Sequence, residues 1–187
     1  MLHDIDDLRQ ERNRAEARPS AEGAPPVLSV FEVVLAVDDS PAYVRRTRAV
    51  LSAALDLAIA GAFDEGELPT GDIPAWFMAA SGSAEAALTG FSRRGRDRYH
   101  AAVSEKSWDV QWWLFEFDPD HEFRGWSWWD ATQAEARRVR VWADSWGESF
   151  FACDELRWLL YTAGAEEVAG PFLADTSEWE REVSVHG

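Results

Sequence analysis

The chain has 187 residues, 47% of them hydrophobic and 28% charged, which is enough for one domain with a substantial core. Its 34 acidic against 18 basic residues give a formal charge of -16, a field that repels nucleic-acid phosphates and anionic membranes and favours encounter with basic partners. A single cysteine, Cys153, excludes an internal disulfide and a cysteine-based zinc cluster, and the longest apolar stretch, residues 50–63 with Asp56 inside it, is too short to span a bilayer.

The N-terminus, MLHDIDDLRQER, carries acids where a secretory signal needs a basic start and an apolar segment, so a cytoplasmic location is expected. Lys106 is the only lysine among many arginines, a bias typical of GC-rich bacterial coding sequences. Residues 1–26 read as a polar arm and linker. Only Ile5 and Leu8 in this arm can cover a core, and the Asp6/Arg9 and Arg12/Glu16 spacings suit a solvated helix. RPSAEGAPP then breaks any helix, and residues 27–187 form the expected single domain.

VLSVFEVVLAV, residues 27–37, is apolar on both faces and is expected inside a sheet. Ser40-Pro41 marks a helix start, with serine as the cap, and a stripe of Val44, Thr47, Leu51, Leu55 and Ala58 carries that helix to Gly61. Arg45, Arg46 and Arg48 sit near its positive end, where pairing with Asp38 and Asp39 is expected. IPAWFMAAS reads as a short strand. A helix capped by Ser83 is expected to be interrupted at Gly90 and Gly95, with RDRYHAAV as a separate short helix.

Six of the eleven tryptophans fall in WDVQWWLFEFDPDHEFRGWSWWD, residues 108–130. Residues 110–117 and 123–130 read as antiparallel strands joined by DPDHE. Alternation would put Trp112, Trp126 and Trp128 on one face, and Trp113 and Trp129 on the other with three phenylalanines. A third strand, RRVRVWAD, alternates Val139, Val141 and Ala143 against Arg138, Arg140 and Trp142. Residues 151–163 form a helix with Ala152, Leu156, Leu159, Leu160 and Ala163 on one side and Gly164 at its end. The remainder holds a short strand near Val168 and an acidic tail.

Signatures for dinucleotide binding, P-loop hydrolysis, the lipase-type elbow and common zinc sites are all missing, so no cofactor or metal is expected. Four small constellations carry groups capable of chemistry. Asp118, Asp120, His121 and Glu122 concentrate ion ligands but read as a polar turn. Cys153 reads as a buried structural thiol. Glu116, Asp130 and Asp144 lie among the tryptophans, where a carboxylate pair is what a glycosidase uses, although strand ends commonly carry acids. Ser81-Gly82-Ser83 precedes a helix, a place where backbone amides receive anions. The basic run at Arg93, Arg94, Arg96 and Arg98 reads as a solvated surface.

These elements predict an α+β fold, a mostly antiparallel sheet of four or five strands packed against two main helices. In composition the chain broadly resembles bacterial toxin-neutralising immunity proteins. That resemblance carries no residue over, and it implies a non-enzymatic inhibitor of a basic protein partner. Trp112, Trp126, Trp128 and Trp142, with Arg138 and Arg140, are the expected binding surface. The alternative is a small enzyme or small-molecule-binding protein with a tryptophan-lined pocket, drawing polar groups from Glu116, Asp130, Arg138, Arg140 and Asp144.

Overall fold

The computed structural model describes residues 3–61, 63, 66–82, 88–121 and 124–186. The fold is α+β: helices pack against a four-stranded antiparallel sheet made of β1 (Val27–Leu35), β2 (Ser127–Glu135), β3 (Arg138–Asp144) and β4 (Ala165–Asp175), in the order β2-β3-β1-β4. Among the described residues no helix is long and apolar enough to cross a membrane.

The two-faced apolar character of β1 follows from its interior position. Leu28 and Val30 point to one side, Phe31, Val33 and Leu35 to the other, and all five are buried. The larger core lies on the second of these sides. It is filled from β3 by Val139, Val141 and Ala143, and from helices α1 (Ile5–Glu16), α2 (Ser40–Ala60), α4 (Gly90–Ala102) and α6 (Asp154–Thr162). The opposite side carries a smaller cluster of Leu28, Val30, Trp129, Trp142, Ala174 and Trp179. Trp179 comes from α7 (Thr176–His186), so the expected acidic tail is a helix that covers the second face of the sheet.

Several local expectations change. Residues 110–117 do not form a strand. Asp109 accepts hydrogen bonds from Gln111 N and Trp112 N and starts helix α5 (Val110–Phe115). The buried set Val110, Trp113, Leu114 and Phe117 has helical spacing, which competes with strand alternation in an apolar run this short. The hairpin is instead β2–β3, turned at Arg137 with φ 64, and β2 runs to Glu135. IPAWFMAAS contains helix α3 (Ala75–Ala80), whose Phe77 and Ala80 are buried one turn apart. The cap of α2 is Asp39, and Ser40 is its first residue, buried.

Helix α4 runs unbroken through Gly95 because α6 lies against it there. A Cβ at that position would sit 1.8 Å from the Tyr161 carbonyl oxygen. The segment expected to be capped by Ser83 lies outside the described residues.

The N-terminal arm is not a solvated helix. Leu8, Glu11 and Ala15 of α1 are buried, Arg14 Nε donates to Trp128 O at 2.8 Å, and Thr176 N donates to Pro26 O at 3.2 Å. The missing signal was a charge: Glu11 reads as a surface residue, yet it is the inward group of the helix.

Candidate functional site

The six residues expected to form one surface are not brought together. Trp126, Trp128 and Trp142 are fully buried, two of them in the main core and Trp142 beneath α7. The Trp142 indole donates to Thr132 Oγ1 at 2.8 Å, which removes the polar handle that would favour an interface. Of the four tryptophans only Trp112 remains outside, 70% exposed. Arg138 pairs with Glu135 at 3.6 Å; Arg140 is held by Glu182 and by Glu32, the latter at 3.2 Å. Both arginines are engaged beside a shallow depression of about 100 Å³.

The three acids singled out by sequence have three different settings. Asp130 is buried and neutralised by Arg48 at 2.7 Å and Arg18 at 3.3 Å, with the Trp179 indole donating at 3.0 Å. Asp144 lines a polar hollow of about 170 Å³ with Arg14, Trp129 and Trp146, and burial raises its pKa. Glu116, the C-cap residue of α5, faces a cleft of about 790 Å³.

The other constellations resolve as structure. Asp118 accepts from Asp120 N at 2.9 Å and pairs with His121 Nδ1 at 2.8 Å, closing a turn on itself; Glu122 lies outside the described residues. Among the described residues no cluster of His, Cys, Asp or Glu has metal-holding geometry. Ser81 Oγ accepts the Trp158 indole at 2.9 Å, whereas Ser83 lies outside the described residues. Arg98 of the basic run pairs with Glu166.

The cleft lies between α5, the segment at 149–153 and the start of α6, with Pro171 of β4 on its wall. Each wall is fixed by a bond into the core. The Trp113 indole donates to Glu155 O at 2.9 Å, tying α5 to the first turn of α6. Trp108 donates to the Tyr99 hydroxyl at 3.1 Å, and Phe151 meets Phe31 edge to face with centroids 6.5 Å apart. Arg157 donates to Val168 O at 3.5 Å and to Gly170 O. Phe150 at the rim is 95% exposed.

Two carboxyl groups distinguish this cleft from the other hollows. Glu155 is 2% exposed and accepts the Trp126 indole N–H. Burial raises its pKa against that hydrogen bond. Glu116 is half-buried, has no hydrogen-bond or ion-pair partner among the described residues, and is pushed up to about 7 by burial and then by the charge of Glu155, with Arg124 opposing. The Cys153 thiol on the same wall is raised by burial, against a hydrogen bond from Arg157, so it stays protonated and poorly nucleophilic.

Glu116 was visible in the sequence as an acid among tryptophans. Glu155 was missed, because an acid in the first turn of a helix ordinarily reads as a dipole partner in solvent. Compared with known protein families, curated proteins and solved structures, the chain matches none.

Proposed function

We propose that this chain binds a small molecule in the cleft between α5, residues 149–153 and α6. The observation that carries the reading is Glu116, a carboxyl group of displaced pKa with no side-chain partner among the described residues, inside an aromatic-walled cleft of about 790 Å³. Ligand pockets combine apolar walls with a few unsatisfied polar groups, and perturbed ionisation concentrates at such sites.

The other expectation, an immunity-type inhibitor that grips a basic protein, needs a tryptophan surface, and three of its four anchors are buried. That reading keeps only Trp112 and the charge of -16 in its favour. The one thiol on the cleft wall, Cys153, is kept protonated by burial, and binding asks nothing more of Glu116 than its unpaired charge.

Fragment screening by NMR tests this directly. Ala152 is exposed and lines the cleft, so Ala152→Trp should fill it without disturbing the core. Fragments are expected to shift the Trp108 indole resonance in the native protein and to lose that effect in Ala152→Trp. Fragments that bind elsewhere, or equally well to the filled variant, would overturn the proposal.

A further inference from the structure

We propose that the ligand of this cleft is an organic cation, a protonated amine on an apolar body, with its ammonium at Glu116 and Glu155 and its body against Trp108, Phe150 and Phe151. This rests on the reading of the cleft as a small-molecule site and assigns the chemistry it takes.

The charge of the walls is one-sided. Glu116, Asp154 and Glu155 face the cleft, and the only basic side chain among its described lining residues is Arg157. That guanidinium is already committed: it donates to the carbonyls of Val168 and Gly170, and it lies over the Phe31 ring at 5.8 Å. It is therefore a structural cation holding β4, and an anionic ligand would meet carboxylates with no free positive group. An ammonium would supply the partner that Glu116 lacks among the described residues.

Glu116 and Glu155 line one cleft, and the charge of Glu155 raises Glu116, an arrangement that is costly while both are charged. A ligand cation removes that cost, and the same site rejects an isosteric neutral group, which leaves the carboxylates unpaired. Aromatic rings suit this occupant because their faces attract cations as well as apolar surface. Phe150 gains the most: an almost fully exposed ring is covered when a ligand body lies beneath it. The net charge of -16 further raises the local concentration of cations.

Proton exchange gives the proposal a signature that a merely apolar pocket lacks. With Glu116 near 7, a sizeable fraction of molecules carries its proton at neutral pH. The charges acting on it are Glu155 from α6 and Arg124 from the segment ahead of β2, while Asp154 and Arg157 share the cleft wall. An arriving ammonium favours the carboxylate and expels the proton to buffer. Binding should therefore release protons near neutrality, and affinity should fall as pH drops below about 7.

Calorimetry with phenylbutylamine, phenylbutanol and phenylbutyrate, in buffers of low and high ionisation enthalpy, tests this. The amine is expected to bind about tenfold more tightly than the alcohol, with a buffer-dependent heat that reports proton release. Glu116→Gln should reduce the release, leaving only the share of Glu155, and cost the amine about tenfold, while thermal unfolding confirms that this variant is folded. Equal binding of amine and alcohol, tighter binding of phenylbutyrate, no binding of the amine, or an amine affinity unchanged in Glu116→Gln would overturn the assignment. If neutral fragments still perturb Trp108, the cleft reading survives and only the cation fails; if nothing binds the cleft, both fall.

Discussion

Two buried carboxylate sites flank Arg124, and they are built in opposite ways. On one side, Glu11 of α1 takes both terminal nitrogens of Arg124 at 2.6 and 2.8 Å and also accepts Trp128 N at 2.6 Å. Its pKa lies below the usual carboxylate range: burial pushes it up, but the charge and hydrogen bonds of Arg124 outweigh that push. On the other side, Glu155 and Glu116 feel Arg124 only as a charge, and both are displaced upward, first by burial. The same kind of group is finished by the fold in one place and left incomplete in the other. A closed pair contributes to architecture, whereas an open pair leaves bonding capacity for something outside the chain.

The largest effect is expected at the closed site. Glu11→Ala leaves a fully buried guanidinium and the Trp128 amide without an acceptor, and should cost about 3–5 kcal/mol. Deleting residues 1–17 should be at least as damaging, because it also removes Leu8 and Ala15 from the core. Arg124 also stacks over Phe117 at 4.3 Å and Trp126 at 4.9 Å, so its geometry is shared with the wall of the open site. Pairing Glu11→Leu with Arg124→Met should recover the part of the loss that comes from the buried guanidinium, while the Trp128 amide stays without its acceptor. Denaturant unfolding measures all three. A midpoint unchanged on deletion would show that α1 is the dispensable arm its composition suggests.

A smaller change sharpens the open site. Trp126→Phe keeps most of the ring and removes the indole N–H that opposes the raised pKa of Glu155. The loss should be about 1–3 kcal/mol, the cost of unmaking a buried hydrogen bond to a carboxyl group. The more telling readout is NMR titration of the carboxyl carbons. Glu155 should protonate more readily, and the release of its charge should bring Glu116 down from about 7. If Glu116 titrates unchanged, the two acids are not coupled and the paired description of the cleft is wrong.

What the sequence made legible follows from how far each signal reaches along the chain. α2, β3 and the leucine face of α6 were recognisable because their apolar positions repeat with one period, and β1 because it is apolar on both faces. VQWWLFEF was misread because eight residues dense in aromatics satisfy both periods, and the deciding feature was the Asp109 cap one residue earlier. That error displaced the hairpin and sent Trp126 and Trp128 to an imagined surface. The burial of Trp142 had a different cause. Its face is polar along β3, and only α7, read as a tail, closes over it. At the site, Glu116 was legible by its aromatic neighbours, while its pairing with Glu155 depends on how α5 meets α6, a contact no local pattern encodes.

The least forceful change, Glu116→Gln, tests the open site by its pH dependence. For Glu116 the folded value of about 7 lies above the ordinary 4.5, so between these values the folded state holds the extra proton. Its contribution therefore makes the fold less stable as pH rises through that window, and Glu155 acts in the same direction. His3 acts oppositely. Burial, then the charge of Arg124, lowers it from 6.5 to about 4, so the folded state excludes a proton that the unfolded chain accepts, and stability is lost as pH falls through that range. Glu11 adds to this acid-side loss as pH falls from 4.5 through its depressed value. The native protein should thus be most stable at mildly acidic to neutral pH, with opposing slopes from the two sites. Glu116→Gln removes the Glu116 share of the upper slope and leaves the lower one, so denaturation from about pH 5 to 8 should show the variant gaining on the native protein as pH rises to about 7 and no further above it. A uniform offset across that range would mean that Glu116 is partnered after all, and that the cleft is as closed as the Glu11 site.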